Sequence, residues 1–230
     1  MYQNYIFDLY GTLVDMWTDE YMPSLWKKMA AFYSLKGASY RPKELKDLYW
    51  KMDREERVKL AKRRNVDPSF VEIDLDKIYA ELYRLKGVKP SKQLVQDTMV
   101  MFRMLSTKRI KLFPGVKELL ERLRADGKGV YLLSNAQSSF TRPEMEMLGI
   151  YDMFDGIVYS SDVLVMKPNP EFFQILFDRY HLDKSSSVMV GNDARADMMG
   201  ASNFGIAGMY VRTDNSWRPE TLPNGCYEIQ

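Results

Sequence analysis

The 230-residue sequence predicts an α/β fold: a doubly wound parallel sheet core carrying an inserted all-helical segment. Three observations lead there. From Arg109 onward, short apolar runs alternate with stretches of helical periodicity. From about Met16 to Thr107 the pattern is helical and nearly free of strand signals. Each short apolar run also ends on polar or small residues, so the strand ends converge on one crevice.

The elements follow in chain order. Tyr5-Ile6-Phe7 is a short apolar strand that runs straight into a turn at Gly11. Leu25, Met29, Phe32 and Tyr33 then recur at helical spacing, as do Leu45, Leu48, Tyr49 and Met52, and Ile78, Leu82 and Leu85. Breaks fall at Gly37, Arg41-Pro42, Asp67-Pro68 and Gly87 to Pro90. Pro114-Gly115 opens a helix through Leu123 that stops at Asp126-Gly127. Strands at Val130 to Leu133, Gly156 to Tyr159, Ser187 to Val190 and Ile206 to Val211 alternate with helices near Pro143 to Leu148, Pro170 to Tyr180 and Met198 to Phe204. The first strand joins the same sheet, which gives a core of residues 1–15 and 108–230 and a helical second domain of residues 16–107. Residues after Arg212, with Pro219, Pro223 and Gly225, read as an extended tail.

Composition removes several kinds of chemistry. There is one histidine, His181, and one cysteine, Cys226, too few for zinc fingers, three-histidine zinc sites, 2-His-1-carboxylate iron sites or a CxxC redox pair. An intrachain disulfide is impossible, which fits a reducing compartment. Lys+Arg number 33 and Asp+Glu 31, a net charge of +2 that gives no reason to expect nucleic acid or an anionic membrane surface as partner. No apolar run reaches the ~18 residues a bilayer span needs, and MYQNYIFDLYGTL lacks the pattern of a signal peptide, so the expectation is a cytoplasmic protein; the sequence leaves monomer and homodimer equally open. Any catalysis falls to carboxylates, lysine, hydroxyls and a hard metal ion.

Four segments at strand ends carry the chemistry: Phe7-Asp8-Leu9-Tyr10-Gly11-Thr12-Leu13-Val14-Asp15, Leu132-Leu133-Ser134-Asn135, Met166-Lys167-Pro168-Asn169-Pro170 and Gly191-Asn192-Asp193-Ala194-Arg195-Ala196-Asp197. Taken in order they resemble motifs I to IV of the haloacid dehalogenase superfamily, over the whole of the core. The resemblance implies a Rossmann-like sheet and a hydrolase for small molecules, with Asp8 as a nucleophile already ionised at pH 7. It implies that Ser134, Asn135, Gly11 and Thr12 hold the transferring group's oxygens, and that Lys167 offsets charge on nucleophile and phosphoryl group. It further implies a Mg²⁺ ion held by Asp8, the Tyr10 backbone carbonyl and Asp193 or Asn192, with Asp197 behind them or orienting Lys167. The helical stretch 16–107 falls where one subfamily inserts a cap between motifs I and II, where substrate specificity should reside.

Two departures keep alternatives open. Asn192 stands where relatives usually carry an acid, so either Asn192 or Asp193 is the metal ligand. Tyr10 stands where the superfamily's phosphatases mostly have an acid/base aspartate, and a phenol with pKa near ~10 is a poor base at pH 7. The resemblance therefore implies first a Mg²⁺-dependent phosphatase for a small phosphomonoester, working through an aspartyl-phosphate on Asp8. Tyrosine at this position is also familiar from L-2-haloacid dehalogenases, which form an ester on the aspartate without metal; against that, their fourth motif resembles SSNxWD. A weakly active phosphoryl-binding protein is the third reading. Arg41 is a candidate anion clamp but reads better as exposed charge, and the mixed charges from Lys51 to Arg64 read as a solvated helix laced by i,i+4 pairs. Trp17, Trp26 and Trp50 are expected to pack the cap or its hinge, and His181 to lie at the surface near a helix end.

Overall fold

The computed structural model describes residues 2–214, 216 and 219–229, apart from the side chain of Ser69. Six parallel strands form the core: β1 (Asn4–Phe7), β4 (Gly129–Ser134), β5 (Gly156–Tyr159), β6 (Ser187–Gly191), β7 (Ala207–Val211) and β8 (Cys226–Ile229). They lie in the order β5-β4-β1-β6-β7-β8, so the chain winds outward from β1 on one side and then returns to wind outward on the other. This is the Rossmann order, in which ligands sit beyond the carboxyl ends of the strands where the winding direction switches. That point is β1, whose Phe7 is in register with Leu132 of β4 and Val190 of β6. β6 is buried along its whole length, as expected of a parallel strand covered on both faces.

Helices α5 (Val116–Ala125), α6 (Ser138–Met147), α7 (Ser160–Val163), α8 (Pro170–Tyr180) and α9 (Met199–Phe204) alternate with these strands. Two apolar clusters cover the sheet, one built on Phe172, Phe173, Leu176 and Met198 and the other on Leu9, Val116, Leu120 and Met145. The helix expected from Pro143 begins five residues earlier, at Ser138, and contains the proline.

Between the sheet's first and second strands the chain forms helices α1 (Pro23–Leu35), α2 (Pro42–Arg64), α3 (Leu75–Arg84) and α4 (Lys92–Ser106), a bundle with its own apolar cluster. Leu25, Met29, Tyr33, Leu45, Tyr49, Ile78 and Leu82 are buried there, as their spacing predicts, each contributing about 1.5–3 kcal/mol relative to exposure. Leu85 is exposed instead. The charges of α2 form i,i+4 pairs such as Lys43–Asp47 at 2.6 Å, each worth only about 0.3–0.5 kcal/mol.

Three expectations are corrected. The bundle is entered and left through an antiparallel ribbon, β2 (Val14–Thr18) paired with β3 (Thr107–Leu112), where no strand was expected. The tail contains β8, which pairs parallel with β7 from Gly208↔Cys226 onward, so Cys226 opens an edge strand; residues 215, 217 and 218 of that tail lie outside the described residues. Trp17 is exposed rather than packed, although Trp26 is buried and Trp50 partly so.

Candidate active site

Asp8 is the first residue past β1, and its N–H donates to the Val190 carbonyl at 2.9 Å, which extends the sheet pairing and fixes the side chain at the crevice. Lys167 Nζ lies 2.7 Å from Asp8 Oδ1 and 2.7 Å from Asp197 Oδ1. Lys167 and Asp197 are each 1% exposed, so this lysine is a buried bridge between two carboxylates. Its contact with Asp8 is a well-aligned hydrogen bond, and that with Asp197 is an ion pair of the same length with poorer alignment. Burial pulls the Lys167 ammonium toward losing its proton, but the carboxylates of Asp197 and Asp8 outweigh burial and hold its pKa above the usual lysine range. Burial raises Asp197, with Lys167 opposing.

Neighbouring side chains brace this triad. Asn135 accepts from the Lys167 N–H at 2.8 Å and donates to the Lys167 carbonyl at 3.1 Å, so both ends of its amide are engaged on the lysine's backbone. The Thr12 hydroxyl is within 3.2 Å of Asp8 Oδ2 and 3.1 Å of Asn192 Oδ1, and accepts from the Asn192 N–H at 3.0 Å. Asp193 Oδ1 accepts from the backbone N–H groups of Arg195 and Ala196 at 2.8 and 3.0 Å, capping the π-helical turn Ala194–Met198. The Asp193 N–H donates to Asp197 Oδ2 at 3.0 Å.

Two glycines are required by close approach. Gly11 has φ +87°, and a Cβ there would stand 2.8 Å from Asn192 Oδ1. A Cβ on Gly191 would collide with the Asp197 carboxylate and lie 2.6 Å from its Cβ.

A cavity of about 750 Å³ opens on these groups, within the size range of small-molecule sites. Asp8, Tyr10, Gly11, Ser134, Asn135, Lys167, Asn192, Asp193 and Asp197 all line it, and Thr12 lies behind Asp8. All ten residues singled out in the sequence thus meet at one place. Arg41 is exposed at the start of α2, and neither it nor His181 lines this cavity.

Tyr10 has an unexpected setting. The residue is half-buried overall, its ring lining the cavity and its hydroxyl end enclosed. The hydroxyl donates to Glu144 Oε2 and lies 3.0 Å from Thr141 Oγ1, both on α6. Arg103, in the last turn of α4, binds the same glutamate at 2.6 Å and places its guanidinium 5.1 Å from the Tyr10 ring centre. Burial, then the Glu144 charge, drive the Tyr10 pKa well above the phenol range. The sequence offers no local sign of Arg103, Thr141 or Glu144, because their partner lies 93 or more residues away.

The sequence profile of the haloacid dehalogenase-like hydrolases matches residues 2–205. The chain belongs to this family. It is 32% identical over 110 residues to pyrimidine 5'-nucleotidase YjjG of Escherichia coli K12, covering 47% of this chain and 48% of that protein. It is 34% identical over 123 residues to a phosphoglycolate phosphatase of Yersinia pestis, covering 52% and 53%. The chain thus spans about half the length of the curated relatives it matches. Among solved structures, a 2-haloacid dehalogenase from Pseudomonas syringae pv. tomato DC3000 superposes with TM-score 0.63 at 20% identity, over 100% of this chain and 94% of that one. A HAD phosphatase from Thermococcus onnurineus superposes with TM-score 0.60 at 18% identity, over 99% and 93%. Both family chemistries therefore share this fold, and the choice between them falls to the site.

Proposed function

We propose that this member of the haloacid dehalogenase-like family is a Mg²⁺-dependent phosphatase acting on a small phosphomonoester. The observation that carries the reading is the buried Lys167 between Asp8 and Asp197, at the base of a cavity whose other polar walls include Asn192 and Asp193. Such a lysine holds the Asp8 carboxylate in place as a nucleophile and offsets the negative charge of an incoming phosphate. Asp8 attacks phosphorus, the P–O bond to the leaving group breaks and the leaving oxygen takes its proton from solvent, and water then hydrolyses the aspartyl-phosphate to release phosphate and restore Asp8. Asn135 holds the Lys167 backbone and Thr12 orients Asp8, while Ser134 and the backbone around Gly11 face the transferring group.

The donor set suits Mg²⁺. Asp8 and Asp193 carry carboxylates and Asn192 an amide oxygen, all hard donors. Among the described residues no cluster of three or more His, Cys, Asp or Glu side chains is arranged to hold a metal. Mg²⁺ accepts such an incomplete set, since it is usually held by one or two carboxylates with waters and substrate phosphate. Asp8, Asp193 or Asn192, and the Tyr10 carbonyl would hold it; once bound it would neutralise charge on the phosphoryl oxygens.

Residues 16–107 act in this reading as a cap over the core of residues 1–15 and 108–230, and a cytoplasmic location goes with it. No helix of the described residues is long and apolar enough to cross a membrane. One observation favours the metal-free dehalogenase reading: the Tyr10 hydroxyl is committed to Glu144, so position 10 supplies no acid for an alkoxide leaving group, and halide needs none. Hydrolysis of an aryl phosphate that stops with chelator, returns with Mg²⁺ and disappears in Asp8→Asn is the expected result. Metal-independent halide release from 2-chloropropionate, or undiminished turnover in Asp8→Asn, would overturn the proposal.

A further inference from the structure

We propose that a second cavity, of about 380 Å³, receives the leaving group and selects phosphomonoesters that carry an ammonium group there. The inference rests on the phosphatase reading. Tyr10 and Asn135 line both cavities, so a molecule with its phosphate at Asp8 extends past the Tyr10 ring into the second space, between the bundle and the sheet.

The charges of its wall do not balance. Glu20, Asp53 and Glu72 face two guanidiniums, Arg57 and Arg103. Arg103 is bound at 2.6 Å to Glu144, which does not line the cavity, so its charge is already matched from outside. The three carboxylates are left to share Arg57, which bonds Asp53 at 3.2 Å and the Val71 carbonyl at 2.9 Å and stands 3.8 Å from Glu72. Glu72 is further satisfied by Gln137 at 3.0 Å and Ser160 at 2.8 Å. The Glu20 carboxylate has no hydrogen bond or ion pair among the described residues, although burial raises its pKa against the pull of Arg103.

The remaining wall suits a cation. Tyr49 and Trp50 line the cavity, ring centres 5.0 Å apart and planes at 79°, with one face of Trp50 covered by Tyr21 stacked at 5.2 Å. Aromatic faces beside carboxylates bind ammonium groups through cation–π attraction and charge together. Independently, Trp50 Nε1 is buried without a hydrogen-bond partner among the described residues, a donor left for an acceptor atom of a bound ester rather than for its cation.

The test uses an isosteric pair, phosphocholine and 3,3-dimethylbutyl phosphate, which differ in the charge of one atom. Wild-type protein with Mg²⁺ is expected to favour phosphocholine at least about tenfold in kcat/KM, mostly through KM. Calorimetric titration of Asp8→Asn protein with the same pair should show a preference of the same size without turnover. Glu20→Gln should reduce the kinetic ratio roughly tenfold. Equal binding of the two esters by Asp8→Asn would overturn the subsite, as would equal kcat/KM in wild type. Hydrolysis of 4-nitrophenyl phosphate reports separately on the phosphatase reading: its absence sinks that reading, while the calorimetry still decides the subsite.

Discussion

Arg103→Met removes one partner of a buried ion pair while keeping the apolar stem of the side chain. Arg103 and Glu144 are 11% and 12% exposed, with Nε 2.6 Å from Oε1 and a weaker second contact at 3.5 Å. The guanidinium also lies 4.6 Å from the Phe140 ring centre and 5.1 Å from that of Tyr10. Without it, the Glu144 charge stays enclosed with, among the described residues, only the Tyr10 hydroxyl donating to it. An orphaned buried charge of this kind costs about 3–5 kcal/mol, a large share of the 5–15 kcal/mol typical of a folded chain. At roughly 2–4 °C per kcal/mol for a chain of this size, Tm should fall by about 6–20 °C. Urea unfolding followed by circular dichroism measures the loss directly. Glu144→Gln in the same background removes the stranded charge but leaves an acceptor for Tyr10, so the double variant should recover part of the loss. The expected coupling is at least about 2 kcal/mol. A cost under about 1 kcal/mol for Arg103→Met, or additivity within ~0.5 kcal/mol, would refute the idea that this pair fastens α4 to α6.

Tyr10→Asp would remove the donor to Glu144 and turn a second negative charge toward it without reaching it, so it should lower stability and fail to raise phosphatase turnover; a gain in turnover with unchanged Tm would count against the role assigned to Tyr10. Burial raises the pKa of Glu72, with Ser160 and Arg57 opposing, so the folded state binds a proton more readily than the unfolded chain above about pH 4.3. Its contribution to stability should therefore fall as pH rises from that value through the raised folded one, and Glu72→Gln should flatten the slope of urea midpoints against pH; an unaltered slope would be contrary. Gly191→Ala should displace the Asp197 carboxylate, cost about 1–3 kcal/mol by overpacking and reduce turnover at least about tenfold, as steady-state kinetics on an aryl phosphate would show.

The sheet and the site were legible because each depends on local patterns. Gly156–Tyr159 and Pro170–Tyr180 match their expected spans, one a short apolar run and the other opened by a proline in its first turn. The ribbon was hidden for the opposite reason. Val-Asp-Met-Trp-Thr is only five residues long and Thr-Lys-Arg-Ile-Lys-Leu holds two apolar residues in six, and each is a strand only because the other, about ninety residues away, supplies its hydrogen bonds. β8 is similar: four residues beyond Pro223 and Gly225 become a strand because β7 presents an open edge. Lys167 in Met-Lys-Pro-Asn-Pro reads alone as a surface residue, and only the convergence of Asp8 and Asp197 makes its burial tolerable.

Position 10 links these levels. The sequence identifies it by what it lacks, an acid able to serve a leaving group. In the folded chain the tyrosine has a different role. Its ring is a wall common to both cavities, and its hydroxyl ends in a glutamate that an arginine of the bundle holds. An aspartate is too short to span that distance and would carry a second negative charge toward Glu144. The phenol fits because it is long, neutral at every working pH and able to donate. The tyrosine therefore stands, with the Arg103–Glu144 pair that joins α4 to α6, at the boundary between the cavity on Asp8 and the one beside it. In the proposed phosphatase reading, the absence of an acid at position 10 and the gain of a fixed partition are two consequences of one side chain, so activity at this site should depend on what the second cavity can hold.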